Sequence, residues 1–185
     1  LRGYQILGRT IDDAAGEAFD KISRFMGLGY PGGPAVEKAA QIGDRNAVDF
    51  PRADLGSSYD FSFSGLKTAV MNYVNNERQR GNEIDKNDLA ASFQEAVVDS
   101  LSSNLIKAAE EFDVESVVIS GGVAANQRLR EVIAARLKEY NLKLYYPPLE
   151  LCTDNAAMIG AVAYYQYLEH DFAPLSISAD PSLKL

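Results

Sequence analysis

Apolar side chains recur every three or four positions along one long stretch of this chain, which is its strongest periodic pattern. The stretch begins near Leu89 and ends near Phe112, and its spacing predicts a long amphipathic helix with one face in the core. A capping pattern at Thr10–Asp13 predicts another amphipathic helix that ends near Met26. Similar but weaker patterns predict helices at about 35–42, 66–74, 127–140 and 153–168.

Short β-branched or aromatic runs alternate with these helices. We expect strands at 4–10, 59–64, 116–120 and 142–146. A glycine-rich connection is expected at 27–34 and a polar surface excursion at 75–87. Because strands alternate with helices, the chain is predicted to be an α/β protein with a mixed sheet.

Composition and charge narrow the function classes. The chain has 185 residues, of which 46% are hydrophobic and 24% charged, as in an ordinary globular protein. A net charge of −8 argues against a chain that holds nucleic acid by electrostatics alone.

The single cysteine, Cys152, excludes an internal disulfide and, with no secretory segment, favours a cytoplasmic protein. No apolar run approaches the ~20 residues of a membrane span. The chain begins at Leu1 without a methionine, so we expect it to be part of a longer product.

The most informative motif is SGGVAAN at residues 120–126, between a predicted strand and a predicted helix. Its glycines allow the backbone to approach a ligand, and the new helix presents unpaired N–H groups at its positive end. The motif indicates a nucleotide-binding turn. A plain connection between strand and helix is the alternative.

Acids and glycines in or near turns are the remaining candidates. Asp20 lies on the acidic face of the first helix, so it is either a ligand group or part of a solvated face. Gly33 lies between prolines, where a rigid turn would explain it. Glu37 falls in the first turn of the next helix, where an acid is expected anyway. Asp154, at the start of the last helix, is either a helix cap or a metal ligand.

Most familiar catalytic constellations are missing from the sequence. The lone histidine, His170, is expected at the surface, and too few ligands exist for the zinc site of a metalloprotease. Lys67 stands near a helix start, against the dipole, which suggests pairing with an acid or an anion.

Five segments, in order, carry a resemblance to a known family. They are IDDAAGEAFDK (11–21), GYPGGP (29–34), DFSFSGLK (60–67), GGVAAN (121–126) and CTDNAA (152–157). Through them the chain resembles the C-terminal half of the bacterial TsaD branch of the tRNA threonylcarbamoyladenosine biosynthesis family, formerly labelled O-sialoglycoprotein endopeptidase. The resemblance covers essentially all 185 residues.

The resemblance implies an actin-like, sugar-kinase-like ATPase fold (ASKHA) with two lobes around a nucleotide cleft. On that basis residues 1–33 would end the first lobe and residues 34–152 would form the second. Residues 153–185 would be a terminal helix and tail that return towards the first lobe.

The resemblance also implies an acyltransferase. The family moves a threonylcarbamoyl group from threonylcarbamoyl-adenylate to the adenosine next to the anticodon of tRNAs that read ANN codons. Matched residue by residue, the substrate-binding residues of the family correspond to Asp20, Gly33, Glu37 and Asn126. Its metal-ligating aspartate corresponds to Asp154. No residue of the chain is identified as a catalytic acid or base.

Cofactors and partners follow from the same resemblance. We expect one divalent metal, iron or zinc, with its remaining ligands outside this chain, because the family's histidine pair and phosphate loop belong to the N-terminal half. Adenine nucleotide or threonylcarbamoyl-adenylate is expected in the cleft. The implied partners are a TsaB-like paralogous subunit, a TsaE-like small ATPase, the enzyme that makes the adenylate, and tRNA, without a membrane.

This piece alone is expected to be inactive. Two other readings stay open, a small-molecule kinase of the same fold class and a non-catalytic actin-like paralogue that acts as a scaffold subunit. The kinase would need a catalytic base and a phosphate loop, and no segment of the sequence shows either.

Overall fold

The computed structural model describes residues 4–179. The described residues form two compact units, one from Ile6 to Thr153 and the other from the flanking residues 4–5 and 154–179. The elements in chain order are α1 (Ala15–Met26), α2 (Gly32–Ala40), α3 (Ser64–Gln79), α4 (Lys86–Glu111), β1 (Ser116–Val118), a 3-10 turn (Gly122–Ala125), α5 (Gln127–Glu139), β2 (Lys143–Tyr145), a 3-10 turn (Leu149–Leu151) and α6 (Ala156–Leu168).

The sheet consists of β1 and β2, which pair in parallel with Val117 opposite Leu144. Helix α5 connects them, since parallel neighbours need a crossover. This arrangement confirms the α/β class. All strand pairing found within residues 4–179 is parallel, so the expected mixed sheet is not seen there.

The predicted strands at 4–10 and 59–64 are wrong. These segments form only an isolated parallel bridge between Thr10 and Phe61, in which Phe61 N donates to Arg9 O and Ile11 N donates to Phe61 O. A strand exists only through hydrogen bonds to neighbouring strands, and within the described residues these two extended segments have only each other.

The predicted capping pattern at the start of α1 is also wrong. The Thr10 hydroxyl donates to the Asp13 carbonyl instead of accepting from a helical N–H, and α1 begins only at Ala15. The predicted end is confirmed, because Gly27 adopts the left-handed conformation, with φ 70°, and closes the helix after Met26.

Two other helices differ from the pattern-based bounds. Helix α2 begins at Gly32, so part of the expected glycine-rich connection is its first turn. Helix α3 continues to Gln79, five residues beyond the predicted 74. Its last three residues, Glu77, Arg78 and Gln79, break the apolar period but are good helix formers, and a search for apolar periodicity does not detect them. Helices α4 and α5 confirm the predicted bounds closely. The expectation that α4 has only one face in the core is wrong for its first half, where all residues from Leu89 to Gln94 are buried.

Two apolar clusters form the core of the Ile6–Thr153 unit. The first gathers side chains of α1 to α4, where the rings of Phe19 and Phe93 meet edge to face with centroids 5.4 Å apart. The second packs Ile133 of α5 against Val98 of α4 and Ile119 beyond β1. Helix α4 contributes to both clusters. Among residues 4–179, no helix has the length and apolarity needed to cross a bilayer.

Candidate functional site

The four predicted substrate-binding residues line one cavity of about 370 Å³. Asp20 reaches it from α1, and Gly33 and Glu37 reach it from α2. Asn126, just before α5, lies on the other wall beside the 3-10 turn Gly122–Ala125. The fold therefore brings together residues that are far apart in the sequence.

Asp20 anchors the start of α2. Its Oδ1 accepts a hydrogen bond from the Gly32 backbone N–H at 2.6 Å, at the end of the helix where the dipole favours an anion. A Cβ on Gly32 would lie 2.4 Å from the Asp20 Cα and 2.5 Å from the Phe19 carbonyl oxygen. Only glycine allows this close approach. The solvated-face reading of Asp20 is wrong, because the residue is half-buried and structurally engaged.

Glu37 links α2 to the start of α5. Its Oε1 accepts a hydrogen bond from the Gln127 backbone N–H at 2.6 Å. Like Asp20, Glu37 uses one carboxylate oxygen in this way. The Oδ2 of Asp20 and the Oε2 of Glu37 accept no hydrogen bond from any residue in 4–179. Each acid is held in place by one oxygen and has the other available to a ligand.

Asn126 is the N-cap of α5. Its Oδ1 accepts from the Leu129 backbone N–H at 2.9 Å, and its Nδ2 donates to Oε1 of Gln94 at 2.8 Å. Both amide side chains are 7% exposed. The expected unpaired N–H groups at the start of α5 are thus already taken at Gln127 and Leu129. One N–H and one lone pair of the Asn126 amide remain for a ligand.

The charge of the cavity is negative. Among the described residues that line it, Asp20 and Glu37 are the charged ones. Apolar side chains supply much of the remaining wall, namely Phe19, Pro31, Pro34, Val123 and Ala125. Carboxylates accept hydrogen bonds, so the cavity suits a ligand that offers hydroxyl donors and a flat apolar face, such as a nucleoside.

Gly33 lies in the first turn of α2, so the predicted rigid turn is wrong. A Cβ added to Gly33 would meet no atom within 4 Å. Packing among the described residues therefore does not require glycine here, in contrast to Gly32. Because Gly33 lines the cavity, a side chain would instead take up space next to a ligand.

Arg130 supports the cavity wall and was missed by the sequence analysis. Its Nε donates to the Ala124 carbonyl at 2.5 Å, and its Nη2 lies 3.1 Å from both the Pro147 carbonyl and the Cys152 Sγ. Its guanidinium also covers the ring of Tyr146, 4.3 Å from the centroid. Arg130 thus holds the 3-10 turn next to the segment before Thr153. A cation in the first turns of a helix, against the dipole, was the available signal.

Gln94 was also missed. It is a buried polar residue beside the apolar stripe of α4, and its side-chain oxygen fixes the orientation of the Asn126 amide. A glutamine directly after Phe93 in a stripe of core residues was the sequence signal for a buried polar contact.

Asp154 is not among the residues that line the cavity. It is exposed and belongs to the unit that contains α6. The N-cap of α6 is Asn155, whose Oδ1 accepts from Met158 N at 3.0 Å, so the helix-cap reading of Asp154 is wrong. Within residues 4–179, no group of three or more His, Cys, Asp or Glu residues could hold a metal ion. The described residues do not, on their own, build the predicted metal site.

Two minor predictions are confirmed. Lys67 pairs with Asp13, which also binds Lys21 at 2.9 Å, so the cation at the start of α3 has an acid partner. The Lys67 hydrogen bond is the leading cause that lowers the pKa of Asp13 below its usual value, with Lys21 adding to it. His170 is exposed.

Comparison with known proteins identifies relatives across the whole chain. The family model described as "TsaD: tRNA N6-adenosine threonylcarbamoyltransferase" matches residues 2–161. The protein of that name from Moorella thermoacetica is 54% identical over 182 residues, which are 98% of this chain and 53% of the relative. The one from Clostridioides difficile is 52% identical over 183 residues, 98% of this chain and 54% of the relative. The chain thus spans about half the length of these curated relatives.

A solved structure supports the fold. The crystal structure of T. kodakarensis HypF superposes with a TM-score of 0.64 and 22% sequence identity, and the match covers 85% of this chain and 20% of that one. At this identity the likeness concerns the fold alone.

Proposed function

We propose a function from one premise: this chain belongs to the TsaD family, tRNA N6-adenosine threonylcarbamoyltransferase. The full-length protein, of the relatives' length and including this sequence, transfers a threonylcarbamoyl group from threonylcarbamoyl-adenylate to a tRNA. The acceptor is the N6 amine of the adenosine next to the anticodon in tRNAs that read ANN codons.

The observation that carries the proposal is the convergence of Asp20, Gly33, Glu37 and Asn126 on one cavity. The family resemblance, which rests on sequence motifs alone, assigns substrate contacts to the same residues. A cavity with two carboxylates and apolar walls suits the adenosine part of an adenylate. Its ribose hydroxyls would donate to the available oxygens of Asp20 and Glu37, and the purine would lie against the apolar wall.

The transfer step depends little on a catalytic acid or base from this chain. The amine nitrogen attacks the carbonyl carbon of the threonylcarbamoyl group, a carbon–nitrogen bond forms, and the bond to the phosphate oxygen breaks so that AMP leaves. An acyl-adenylate already carries a good leaving group, so positioning the donor accounts for the role of this cavity. The amine proton passes to solvent.

Transfer to tRNA by the full-length protein tests the proposal. Purified protein would receive chemically prepared threonylcarbamoyl-adenylate and an ANN-reading tRNA, together with its partner proteins, and the modified nucleoside would be quantified by mass spectrometry. We expect Asp20→Asn and Glu37→Gln to lower transfer roughly tenfold or more, since hydrogen bonds to charged groups contribute about 1.5–3 kcal/mol. Asp113→Asn, just after the C-cap of α4 and not among the residues that line the cavity, is the matched control. Absence of transfer by the wild type would refute the proposal.

The same assay with the isolated 185-residue chain tests the prediction that this chain alone is inactive. We expect no transfer, because the relatives are about twice as long and further site residues lie in the remaining part. Transfer by this chain alone would show that the missing half is dispensable.

The metal and the partners form a second part of the proposal. Asp154 supplies one ligand to a divalent metal, iron or zinc, whose other ligands lie outside this chain. The full-length protein works in the cytoplasm with a TsaB-like subunit and a TsaE-like ATPase. Elemental analysis and co-purification of the full-length protein test these two statements separately.

A scaffold subunit is the second candidate, and the structural role of Asn126 is compatible with it. Asn126 caps α5 and binds Gln94, so even a non-catalytic paralogue would keep it for stability. A full-length protein that forms the partner complex but transfers nothing, with authentic relatives active in the same assay, would establish the scaffold.

A further inference from the structure

A second cavity, of about 210 Å³, lies in the Ile6–Thr153 unit and shares no lining residue with the cavity that Asp20 and Glu37 line. It is bounded by the end of α1, the last turns of α3 and the start of α4. Its apolar lining is formed by Phe25, Met26, Val74, Ile84 and Leu89. Three of these residues, Met26, Val74 and Leu89, are buried members of the first apolar cluster, so the floor is part of the packed core.

Two cations line the same cavity. Arg78 lies in the last turn of α3, where the helix dipole favours a positive charge. Lys86 is the first residue of α4, where the dipole disfavours one. Neither side chain forms a hydrogen bond or an ion pair with any residue in 4–179.

The acids directly next to these cations in the sequence, Glu77 and Asp85, are engaged elsewhere. Glu77 accepts a hydrogen bond from Asn82 at 2.6 Å, which is the leading cause that lowers its pKa, and another from Arg80 at 2.8 Å that adds to it. Asp85 is the N-cap of α4, and its Oδ1 accepts a hydrogen bond from Asn87 N at 2.7 Å. The cavity therefore combines an apolar floor with two positive charges that have no counterion within the described part of the chain.

We propose that this cavity binds a small monocarboxylate that carries an apolar group of about the size of a phenyl ring. The apolar group lies on the floor and the carboxylate lies between Arg78 and Lys86. A cavity of about 150 Å³ holds benzene, so the volume here accommodates a ring with a short arm. An arginine offers a planar fork that matches a carboxylate, and the lysine adds a second charge-assisted donor.

The test uses the full-length protein and a pair of probes that differ in charge but hardly in shape. The probes are 3-phenylpropionate and 3-phenyl-1-propanol, titrated by ligand-observed NMR. We expect the acid to bind roughly tenfold more tightly than the alcohol. Arg78→Gln and Lys86→Gln should each weaken the acid roughly fivefold to tenfold and leave the alcohol unchanged.

Two further variants locate the site. Arg80→Gln removes a nearby cation that pairs with Glu77 and does not line the cavity, so it should leave the affinity unchanged. Ile84→Trp should fill the cavity and abolish binding of both probes. Equal binding of acid and alcohol, no binding of either, equal effects of the Arg80 and Arg78 variants, or full binding by Ile84→Trp would each overturn the proposal.

Discussion

The carboxylate of Glu37 lies 2.6 Å from the backbone nitrogen of Gln127, so an acid of α2 holds the first N–H of α5. Glu37 lines the cavity, and Gln127 directly follows Asn126, which lines it too, so the bond joins α2 to the start of α5 at the edge of the cavity. A residue that the family resemblance assigns to substrate binding thus has a structural role in the free protein as well.

Removing the Glu37 carboxylate should therefore destabilise the fold. We expect Glu37→Ala to lower the free energy of unfolding by about 1–2 kcal/mol, because it leaves a helix N–H without its acceptor. Glu37→Gln keeps an acceptor oxygen and should lose less. Urea denaturation of both variants, with Glu139→Gln as a control in the last turn of α5, measures the difference. Equal stability of Glu37→Ala and the control would show that the bond contributes nothing.

The adjacent glycines Gly32 and Gly33 should respond in opposite ways to the same change. Gly32→Ala places a Cβ 2.4 Å from the Asp20 Cα, and we expect a loss of about 1–3 kcal/mol or more because the backbones must separate. Gly33→Ala meets no atom within 4 Å and should leave stability unchanged or raise it by about 0.5–1 kcal/mol, since alanine favours helix.

Nucleotide binding distinguishes the role of Gly33 from that of a simple helix residue. In the full-length protein, Gly33→Ala should weaken adenine-nucleotide binding in calorimetric titrations while the unfolding midpoint stays at or above that of the wild type. Unchanged affinity in this stable variant would remove Gly33 from the proposed ligand contacts.

The Asp12 carboxylate should make stability depend on pH in the acidic range. Burial alone would raise the pKa of Asp12, but hydrogen bonds from the Ser62 hydroxyl and from the N–H groups of Phe63 and Ser64 outweigh it and lower the pKa to about 2. The value in the unfolded chain is about 3.9. The stabilisation is thus complete above about pH 5 and is lost as the pH falls from about 4 to 2.

Asp12→Asn should isolate this effect. The difference in unfolding free energy between the wild type and Asp12→Asn is expected to be constant near neutral pH and to shrink between about pH 4 and pH 2. Urea midpoints at pH 7, 4 and 2.5 measure it, and Asp49→Asn controls for the loss of one exposed charge. A difference that does not change with pH would contradict the assignment.

Variants of Asp154 and Asn155 distinguish a helix-capping role from a metal-binding role. Asn155 caps α6, so Asn155→Ala should lower the local stability of the helix by about 1 kcal/mol, seen as faster amide exchange at Met158. Asp154→Ala should leave that exchange unchanged but reduce the metal content of the full-length protein. If Asp154→Ala instead speeds exchange and leaves the metal in place, Asp154 has only a structural role.

Periodicity alone determined the extent of two helices, of which α5 buries one face and α4 is buried on all sides near its start. Helices α4 and α5 were predicted closely because the 3.6-residue repeat is a local property. The family motifs likewise singled out the four residues that line one cavity. In each case the necessary information lies within a short stretch of residues.

Only the tertiary structure decided which groups bind one another. The segments at 4–10 and 59–64 have strand-like patterns, but a strand also needs neighbours that no local pattern contains. Asp20 and Glu37 accept hydrogen bonds from the backbone N–H groups of Gly32 and Gln127, which lie at helix starts. Every residue except proline has such an N–H group, so the sequence does not mark these two. Their selection depends on how closely α1, α2 and α5 approach, and that distance is a property of the packed chain.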